Sequence, residues 1–185
     1  MLAVGSAVGG TIHLWDLSAG KEQSPLQVSK EIIGAVALTA DGQLLAAKDR
    51  SGSIKLWDLA ANKERASLGP WHVWLLSPDS RTVAGGGTGL DGQLQVWDLA
   101  TAQLKASLEG HTRRVESLTY SPDGQLLASA AQDGRVIVWD PASRKRLMHS
   151  WQLPGPVPHV YFAPDGRHLA TVNGNGSVYI LRLPQ

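Results

Sequence analysis

A Trp-Asp dipeptide recurs four times along the 185 residues at a nearly constant interval. The copies begin at Trp15, Trp57, Trp97 and Trp139, which are 42, 40 and 42 residues apart, and a degenerate fifth copy begins at Leu181, 42 residues later. A repeat of about 40–45 residues that ends in Trp-Asp is typical of one four-stranded sheet per repeat. The repeat therefore predicts a series of small sheets with a common design.

Turn residues stand at fixed places between the Trp-Asp copies. The tetrapeptide Ser121-Pro122-Asp123-Gly124 lies between two apolar runs, and related tetrapeptides begin at Thr39, Ser77 and Ala163. In such a turn proline presets φ, aspartate accepts hydrogen bonds from its own backbone, and glycine adopts the positive φ. The runs on both sides are short and partly alternating, without a helical period, which indicates strands. The whole chain is therefore predicted to be all-β.

The repeat divides the chain into five segments, each interpreted as one sheet, or blade. Three strands are expected in each of 1–30 and 151–185, and four in each of 31–68, 69–108 and 109–150. An open arc of such sheets would leave apolar faces and strand edges exposed, which natural proteins avoid. We therefore expect the arc to be completed by N-terminal blades outside this sequence, by a partner chain or by self-association.

Composition and charge exclude several classes of function. The net charge of +1, from 17 Lys+Arg and 16 Asp+Glu, is not that of a nucleic-acid-binding surface. No apolar run approaches the roughly 20 residues of a membrane span. The basic run at 144–146 is interpreted as a solvated rim. We expect a cytoplasmic protein with neither a nucleic-acid nor a membrane partner.

The most regular copy of the repeat runs from Gly110-His111 through Ser129 and Asp133 to Trp139-Asp140. With this pattern the chain resembles the WD-repeat (WD40) β-propeller family over essentially its whole length, and its Ser-Pro-Asp-Gly turns are similar to those of bacterial members. The resemblance implies an open, incomplete β-propeller of about four to five blades, each a four-stranded antiparallel sheet. It also implies a structural tetrad of hydrogen-bonded side chains, formed by His111, Ser129, Asp133 and Trp139.

The other copies depart from this tetrad. The third copy keeps Asp91 and Trp97, and the last has Thr171 and Asn175 at two of the tetrad positions. The second copy keeps only the tryptophan, and its four residues are Ser29, Ala47, Ser51 and Trp57. These blades are expected to be held together by packing more than by tetrads.

Chemical interpretations of the same motifs are weaker than structural ones. His111, Ser129 and Asp133 are the residue types of a hydrolase triad, but no Gly-x-Ser-x-Gly elbow surrounds the serine. The glycines at 85–89 precede no Gly-Lys-Ser/Thr, and are interpreted as a loop between two strands instead of a phosphate-binding loop. The six histidines lack the spacing of metal ligands. We therefore predict no enzyme activity, no metal and no cofactor.

The resemblance implies a non-catalytic scaffold that docks a protein or peptide. With the strands of each blade lettered a to d from axis to rim, the d-to-a links and b-to-c turns converge near the channel mouth, and such loops vary more freely than strands. Two alternatives remain: a regulatory or sensor domain of a larger protein, enzymatic or not, whose N-terminal part is absent, and a propeller enzyme or sugar-binding module. The candidate partner-binding residues are Arg50, Trp71, His72, Arg113, Arg114, Gln132, His159 and Asn175.

Overall fold

The computed structural model describes residues 1–6, 9–87, 92–142 and 145–184, and within them it contains strands and no α-helix. None of these residues belongs to a helix long and apolar enough to cross a membrane. The all-β prediction is thereby confirmed. The strands are β1 (Leu2–Gly5), β2 (Thr11–Asp16), β3 (Lys21–Glu22), β4 (Leu26–Gln27), β5 (Ile33–Leu38), β6 (Leu44–Asp49), β7 (Ile54–Asp58), β8 (Lys63–Leu68), β9 (Trp71–Leu76), β10 (Thr82–Gly87), β11 (Leu94–Asp98), β12 (Gln103–Leu108), β13 (Val115–Tyr120), β14 (Leu127–Ala131), β15 (Arg135–Asp140), β16 (Lys145–Gln152), β17 (His159–Phe162), β18 (His168–Val172) and β19 (Val178–Arg182).

These strands form five antiparallel sheets that follow one another along the chain. Four sheets have four strands each, β1–β4, β5–β8, β9–β12 and β13–β16, and the fifth has three, β17–β19. Consecutive strands pair within each sheet, except that β4 pairs with β2 instead of β3, and the predicted design of small antiparallel sheets is confirmed. The residue ranges that we assigned to individual blades stay a prediction.

The first sheet has four strands where three were expected, because its outer edge is divided. Two short strands, β3 and β4, both pair with β2. Pro25 lies between them, and proline has no N–H with which to continue a ladder. The outer strand is therefore interrupted where the sequence has this proline.

Each inner strand is joined to the next by a turn in which polar side chains replace ladder hydrogen bonds. In the fourth sheet, Ser121 Oγ donates to Asp123 Oδ1 at 2.5 Å and accepts from Leu126 N at 2.9 Å. Asp123 Oδ1 also accepts from Gln125 N at 3.0 Å. Gly124 adopts a φ of 71°, the conformation that glycine reaches without strain. The Ser-Pro-Asp-Gly motif therefore fixes the register of the strands that it joins.

The chain forms two compact units, Met1–Trp71 and His72–Gln185. The core of the first unit lies between its two sheets and includes Ile12, Leu14 and Leu45. The second unit has two cores. One contains Leu94, Leu108, Leu127 and Trp139, and the other contains Val136, Val138, Val160 and Leu169.

The glycines predicted to form a loop at 85–89 are in part strand residues. Gly85 and Gly86 belong to β10 and pair with Gln95 and Leu94 of β11. A Cβ at Gly86 would approach Leu94 Cδ2 to 3.1 Å and Val115 Cβ to 3.3 Å, so the strand needs a residue without a side chain there. Residues 88–91, and with them the tetrad candidate Asp91, lie outside the described part of the chain, as does Arg144 of the basic run.

Candidate partner-binding site

A chain of hydrogen bonds joins the four side chains of the predicted tetrad in the second unit. Trp139 Nε1 donates to Ser129 Oγ at 2.8 Å, and His111 Nε2 lies 2.7 Å from the same oxygen. His111 Nδ1 lies 3.1 Å from Asp133 Oδ2. Because a carboxylate only accepts, a neutral His111 has its proton on Nδ1 and accepts from the serine through Nε2. The four side chains of the tetrad are therefore joined by an uninterrupted series of hydrogen bonds.

This tetrad is enclosed by the protein. The side chain of His111 is 0% exposed and that of Asp133 is 4% exposed. Ser129 is fully buried, so its hydroxyl group is inaccessible to a substrate. The geometry therefore argues against the hydrolase-triad interpretation, since a nucleophilic serine has to reach the substrate.

Asp133 also fixes the link that leads into β13. Its Oδ2 accepts from Thr112 N at 2.9 Å, and its Oδ1 accepts from Arg135 N at 2.9 Å. Burial alone would raise the pKa of Asp133, but the hydrogen bonds from His111 and the two backbone amides outweigh it and hold the pKa below its usual value. The buried tetrad thereby positions the two arginines that follow Thr112, Arg113 and Arg114.

We expect the contribution of Asp133 to stability to vanish in acid. A carboxyl whose folded pKa is depressed stabilises the fold above its unfolded pKa of about 3.9, and this stabilisation is lost as the pH falls through the folded pKa. The destabilisation caused by Asp133→Asn should be largest at neutral pH and shrink below about pH 4. Urea denaturation of both proteins across the pH range measures the difference. A constant difference down to about pH 2 would contradict this account of Asp133.

The side chains of His72, Arg114 and Gln132 meet at Glu116, and we call these four residues the Glu116 cluster. Arg114 Nη2 donates to Glu116 Oε1 at 2.8 Å, and Gln132 Nε2 donates to the same oxygen at 2.5 Å. His72 Nε2 lies 3.1 Å from Glu116 Oε2. Three predicted partner-binding residues are thus brought together by a carboxylate that the sequence analysis did not single out.

A β-bulge explains why the Glu116 side chain can reach these partners. In the pairing of β13 with β14, Val115 opposes Ala131 and Ser117 opposes Ala130, so Glu116 has no opposite residue. A bulge adds one residue to one strand and re-aims its side chain. The second sheet has a bulge at the same place in its inner strand, where Gly34 lies between Ile33 and Ala35.

The Glu116 carboxylate is partly enclosed while its neighbours reach the surface. Its side chain is 17% exposed, whereas those of Arg114 and His72 are 37% and 38% exposed. Burial would raise the pKa of Glu116, but the hydrogen bonds from Arg114 and Gln132 and the charge of Arg114 lower it further than burial raises it. Glu116 therefore stays ionised and holds its donors in fixed positions.

The remaining candidate residues are distributed over both units. In the second unit, Arg113 is exposed in the link before β13, His159 is exposed at the start of β17, and Asn175 is exposed in the turn before β19. Arg50 is exposed in the first unit. Trp71, which we predicted to bind a partner, is the first residue of β9 and only 3% exposed, so its side chain offers a partner almost no surface.

β17 extends the candidate surface beyond the Glu116 cluster. Val160 N donates to Ser117 Oγ at 3.2 Å, which holds β17 beside β13. His159 therefore stands at the same end of its inner strand as Glu116 does in β13. Its ring stacks on Tyr161 with centroids 6.2 Å apart and the planes inclined by 24°.

Two sheets that lack the tetrad have a different polar network, which the sequence analysis missed. In the second sheet Asp49 accepts from Ser29 Oγ at 3.0 Å and from Ser51 Oγ at 2.5 Å. In the fifth sheet Asn173 Nδ2 donates to Ser177 O at 3.0 Å. Asp49 and Asn173 occupy the same place in the repeat, 8 residues before Trp57 and Leu181 respectively. The sequence signal that could have revealed this network is a polar residue at the repeat position where the regular copy has Ala131.

A cation site is not formed by any described group of three His, Asp or Glu residues. The candidate site therefore consists of hydrogen-bonding and charged side chains at the ends of inner strands.

The most regular copy of the repeat also matches a known family. Residues 102–140 fit the family model described as WD domain, G-beta repeat. This segment is a WD repeat. It contains β13–β15 in full and all four tetrad residues, together with the Glu116 cluster residues Arg114, Glu116 and Gln132.

Curated proteins with WD repeats are similar to larger parts of the chain. WD repeat-containing protein SL1-17 of Schistosoma mansoni is 30% identical over 144 residues, which cover 75% of this chain and 46% of that protein. Small ribosomal subunit protein RACK1 of Caenorhabditis elegans is 39% identical over 79 residues, or 43% of this chain and 23% of that protein. RACK1y of Oryza sativa subsp. japonica is 40% identical over 57 residues, or 31% and 17%.

These relatives qualify the resemblance in two respects. They come from eukaryotes, so they give no support to a bacterial type of WD-repeat protein. The chain also spans less than half the length of each of them. The similarity supports the WD-repeat family.

Proposed function

We propose that this chain is a non-catalytic scaffold that docks an acidic segment of a protein or peptide on the Glu116 cluster and the adjacent Arg113. The observation that carries the proposal is the convergence of His72, Arg114 and Gln132 on one ionised carboxylate. WD-repeat relatives, two of which are named as small ribosomal subunit proteins, support a role in protein assemblies and, with it, a cytoplasmic location.

The cluster is suited to recognition because its side chains are already ordered. Side chains that are free in solution lose about 0.5–1.5 kcal/mol each when a partner immobilises them. The hydrogen bonds to Glu116 have already ordered Arg114 and Gln132 before any partner binds. A partner therefore meets a preformed surface.

The charges at this surface favour an acidic partner. Arg113 is exposed, and Arg114 keeps part of its guanidinium group accessible beside Glu116. Arginine binds carboxylates and phosphates through paired hydrogen bonds. Two arginines against a single carboxylate leave a positive charge that a carboxylate of the partner would neutralise.

A selection from a random peptide display library tests this function. We expect peptides selected on the whole chain to be enriched in Asp and Glu, and their binding to fall at least about tenfold on Arg113→Glu, a change of about 1.4 kcal/mol. Arg113→Glu leaves every hydrogen bond of the Glu116 cluster in place. Fluorescence anisotropy with the selected peptides measures the affinities.

Arg167→Glu is the matched control, since it makes the same charge change on an exposed residue of the second unit. Arg167 lies in the turn between β17 and β18, at the other end of the inner strand from His159. Peptide binding should be unchanged by it. Selected peptides without acidic residues, or equal losses on the two variants, would refute docking at this surface.

A further inference from the structure

A groove in the first unit lies where the second sheet lacks the tetrad. Its volume is about 660 Å³. Among the residues that line it are Ser29, Asp49, Ser51 and Trp57. Lys30, Lys55 and Glu64 stand at the same groove.

The groove coincides with the repeat positions that the tetrad fills in the fourth sheet. Ser29, Ser51 and Trp57 occupy the positions of His111, Asp133 and Trp139, and Ala47 occupies that of Ser129. Serine in place of histidine removes the imidazole ring that His111 inserts into the fourth sheet. Three of the four equivalent residues line the groove. The groove therefore corresponds to the space that the histidine ring fills in the fourth sheet.

The tryptophan of the second sheet has a different hydrogen-bond partner from its counterpart. Trp139 Nε1 donates to Ser129 Oγ at 2.8 Å and the residue is 1% exposed. Trp57 Nε1 donates to Asn62 Oδ1 at 3.3 Å, and Trp57 is only partly buried. One side of the Trp57 indole is therefore available to a ring placed in the groove, as His111 is placed beside Trp139 with centroids 6.3 Å apart.

Asp49 supplies an acceptor at the base of the groove. Its Oδ1 accepts from Ser51 N at 3.0 Å and from Ser51 Oγ at 2.5 Å, and its Oδ2 accepts from Ser29 Oγ at 3.0 Å. A carboxylate oxygen accepts about two hydrogen bonds, so Oδ1 already has both of its donors, whereas Oδ2 accepts from Ser29 Oγ and has room for a donor from a ligand. Burial would raise the pKa of Asp49, but the hydrogen bonds from Ser51 and Ser29 lower it to below its usual value, so the group is an ionised acceptor.

The charges that line the groove balance one another. Lys30 and Lys55 are opposed by Asp49 and Glu64, and Lys55 Nζ donates to both oxygens of Glu64 at 3.1 Å. Because its positive and negative charges are equal in number, the groove attracts a cationic guanidinium only weakly. A neutral planar ring with an N–H donor binds there without adding a charge. Imidazole near neutral pH has these properties, and it is the ring that fills the equivalent position in the fourth sheet, at His111.

We propose that this groove binds a histidine side chain of a partner peptide, whose neutral imidazole donates to Asp49 and packs beside Trp57. The site is independent of the Glu116 cluster, which lies in the other unit. It gives the scaffold a second point of attachment, with a specificity different from that of the acidic docking surface.

Solution NMR of the full-length chain, labelled with nitrogen-15, tests the proposal. Trp57→Phe assigns the indole N–H signal of Trp57, which is then followed during titration with N-acetyl-Gly-His-Gly-amide at about pH 7.5, one unit above the ordinary pKa of histidine. We expect a saturable shift with a Kd on the order of 1 mM, which corresponds to about 4 kcal/mol. The same peptides with Arg or Phe in place of His should produce no saturable shift.

Two variants test the role of the groove residues. Ser29→His should abolish peptide binding, because the new imidazole occupies the space, and Asp49→Asn should weaken it at least about fivefold by removing the charged acceptor. The signals of the first unit show whether each variant is folded. An absent or non-saturable shift in the parent chain, an equal response to the Arg or Phe peptide, or unchanged binding in either folded variant would overturn the proposal. If Ser29→His does not fold, Asp49→Asn alone decides between these outcomes.

Discussion

Replacement of Trp139 by alanine is expected to lower the free energy of unfolding of the second unit by about 3–5 kcal/mol. Trp139 is 1% exposed and packs in the core with Leu94, Leu108 and Leu127. Its loss leaves a cavity that the two flanking sheets fill only in part, and it takes from Ser129 Oγ the donor that completes the tetrad. Urea denaturation measures the change, and hydrogen exchange of the β13–β15 amides localises it.

The matched variant Trp57→Ala removes the same side chain from the second sheet. Trp57 is partly exposed and has no serine partner, so we expect a loss in the first unit of about half that size. The comparison separates the effect of the tetrad from that of a large ring. Equal losses for both variants would show that the tetrad adds no stability.

The second large effect is expected for Asp133→Leu, with a loss of roughly 3–5 kcal/mol. The substitution removes the acceptor of three donors, which are His111 Nδ1, Thr112 N and Arg135 N. Each buried donor without a partner costs about 1–3 kcal/mol. The Thr112 amide would be released as well, so the link that carries Arg113 should exchange its amide protons faster. Denaturation and hydrogen exchange measure the two consequences.

Asp123→Leu is the control for this variant, because Asp123 has a similar set of hydrogen bonds in an exposed turn. Asp123 Oδ1 accepts from Ser121 Oγ and Gln125 N at the surface, where water replaces a lost partner. We expect a loss of about 1 kcal/mol or less for it. A loss as large as that of Asp133→Leu would show that burial is not the source of the effect.

The sequence predicted the sheets well because their determinants are local. The Ser121–Gly124 turn and its relatives specify where a hairpin reverses, and the alternation of apolar residues specifies which face of a strand is buried. The tetrad was also predictable, since its four residues occur within one repeat. The prediction failed at Gly85 and Gly86, which pair with β11 as part of β10, and Leu94 and Val115 leave no room for a side chain at Gly86.

Glu116 and Asp49 were not predicted because their roles depend on tertiary structure. Glu116 receives hydrogen bonds from residues as far as 44 positions away in the sequence, and a bulge that no motif announces turns it toward them. Asp49 stands where the regular copy has Ala131, which is not one of the four tetrad positions. Long-range contacts of this kind follow from the packing of one sheet on another and not from the composition of either.

The bulge in β13 also has a consequence for how proteins of this design diversify. Glu116 has no opposite residue in the ladder, and Gly34 holds the same position in β5. Counted back five residues from each inner-strand turn, His72 and Pro158 occupy that position in β9 and just before β17. A residue without an opposite partner is exchanged without shifting the register of the two paired strands. Glu116 and Gly34 are thus positions at which a substitution changes local contacts while the paired strands keep their register.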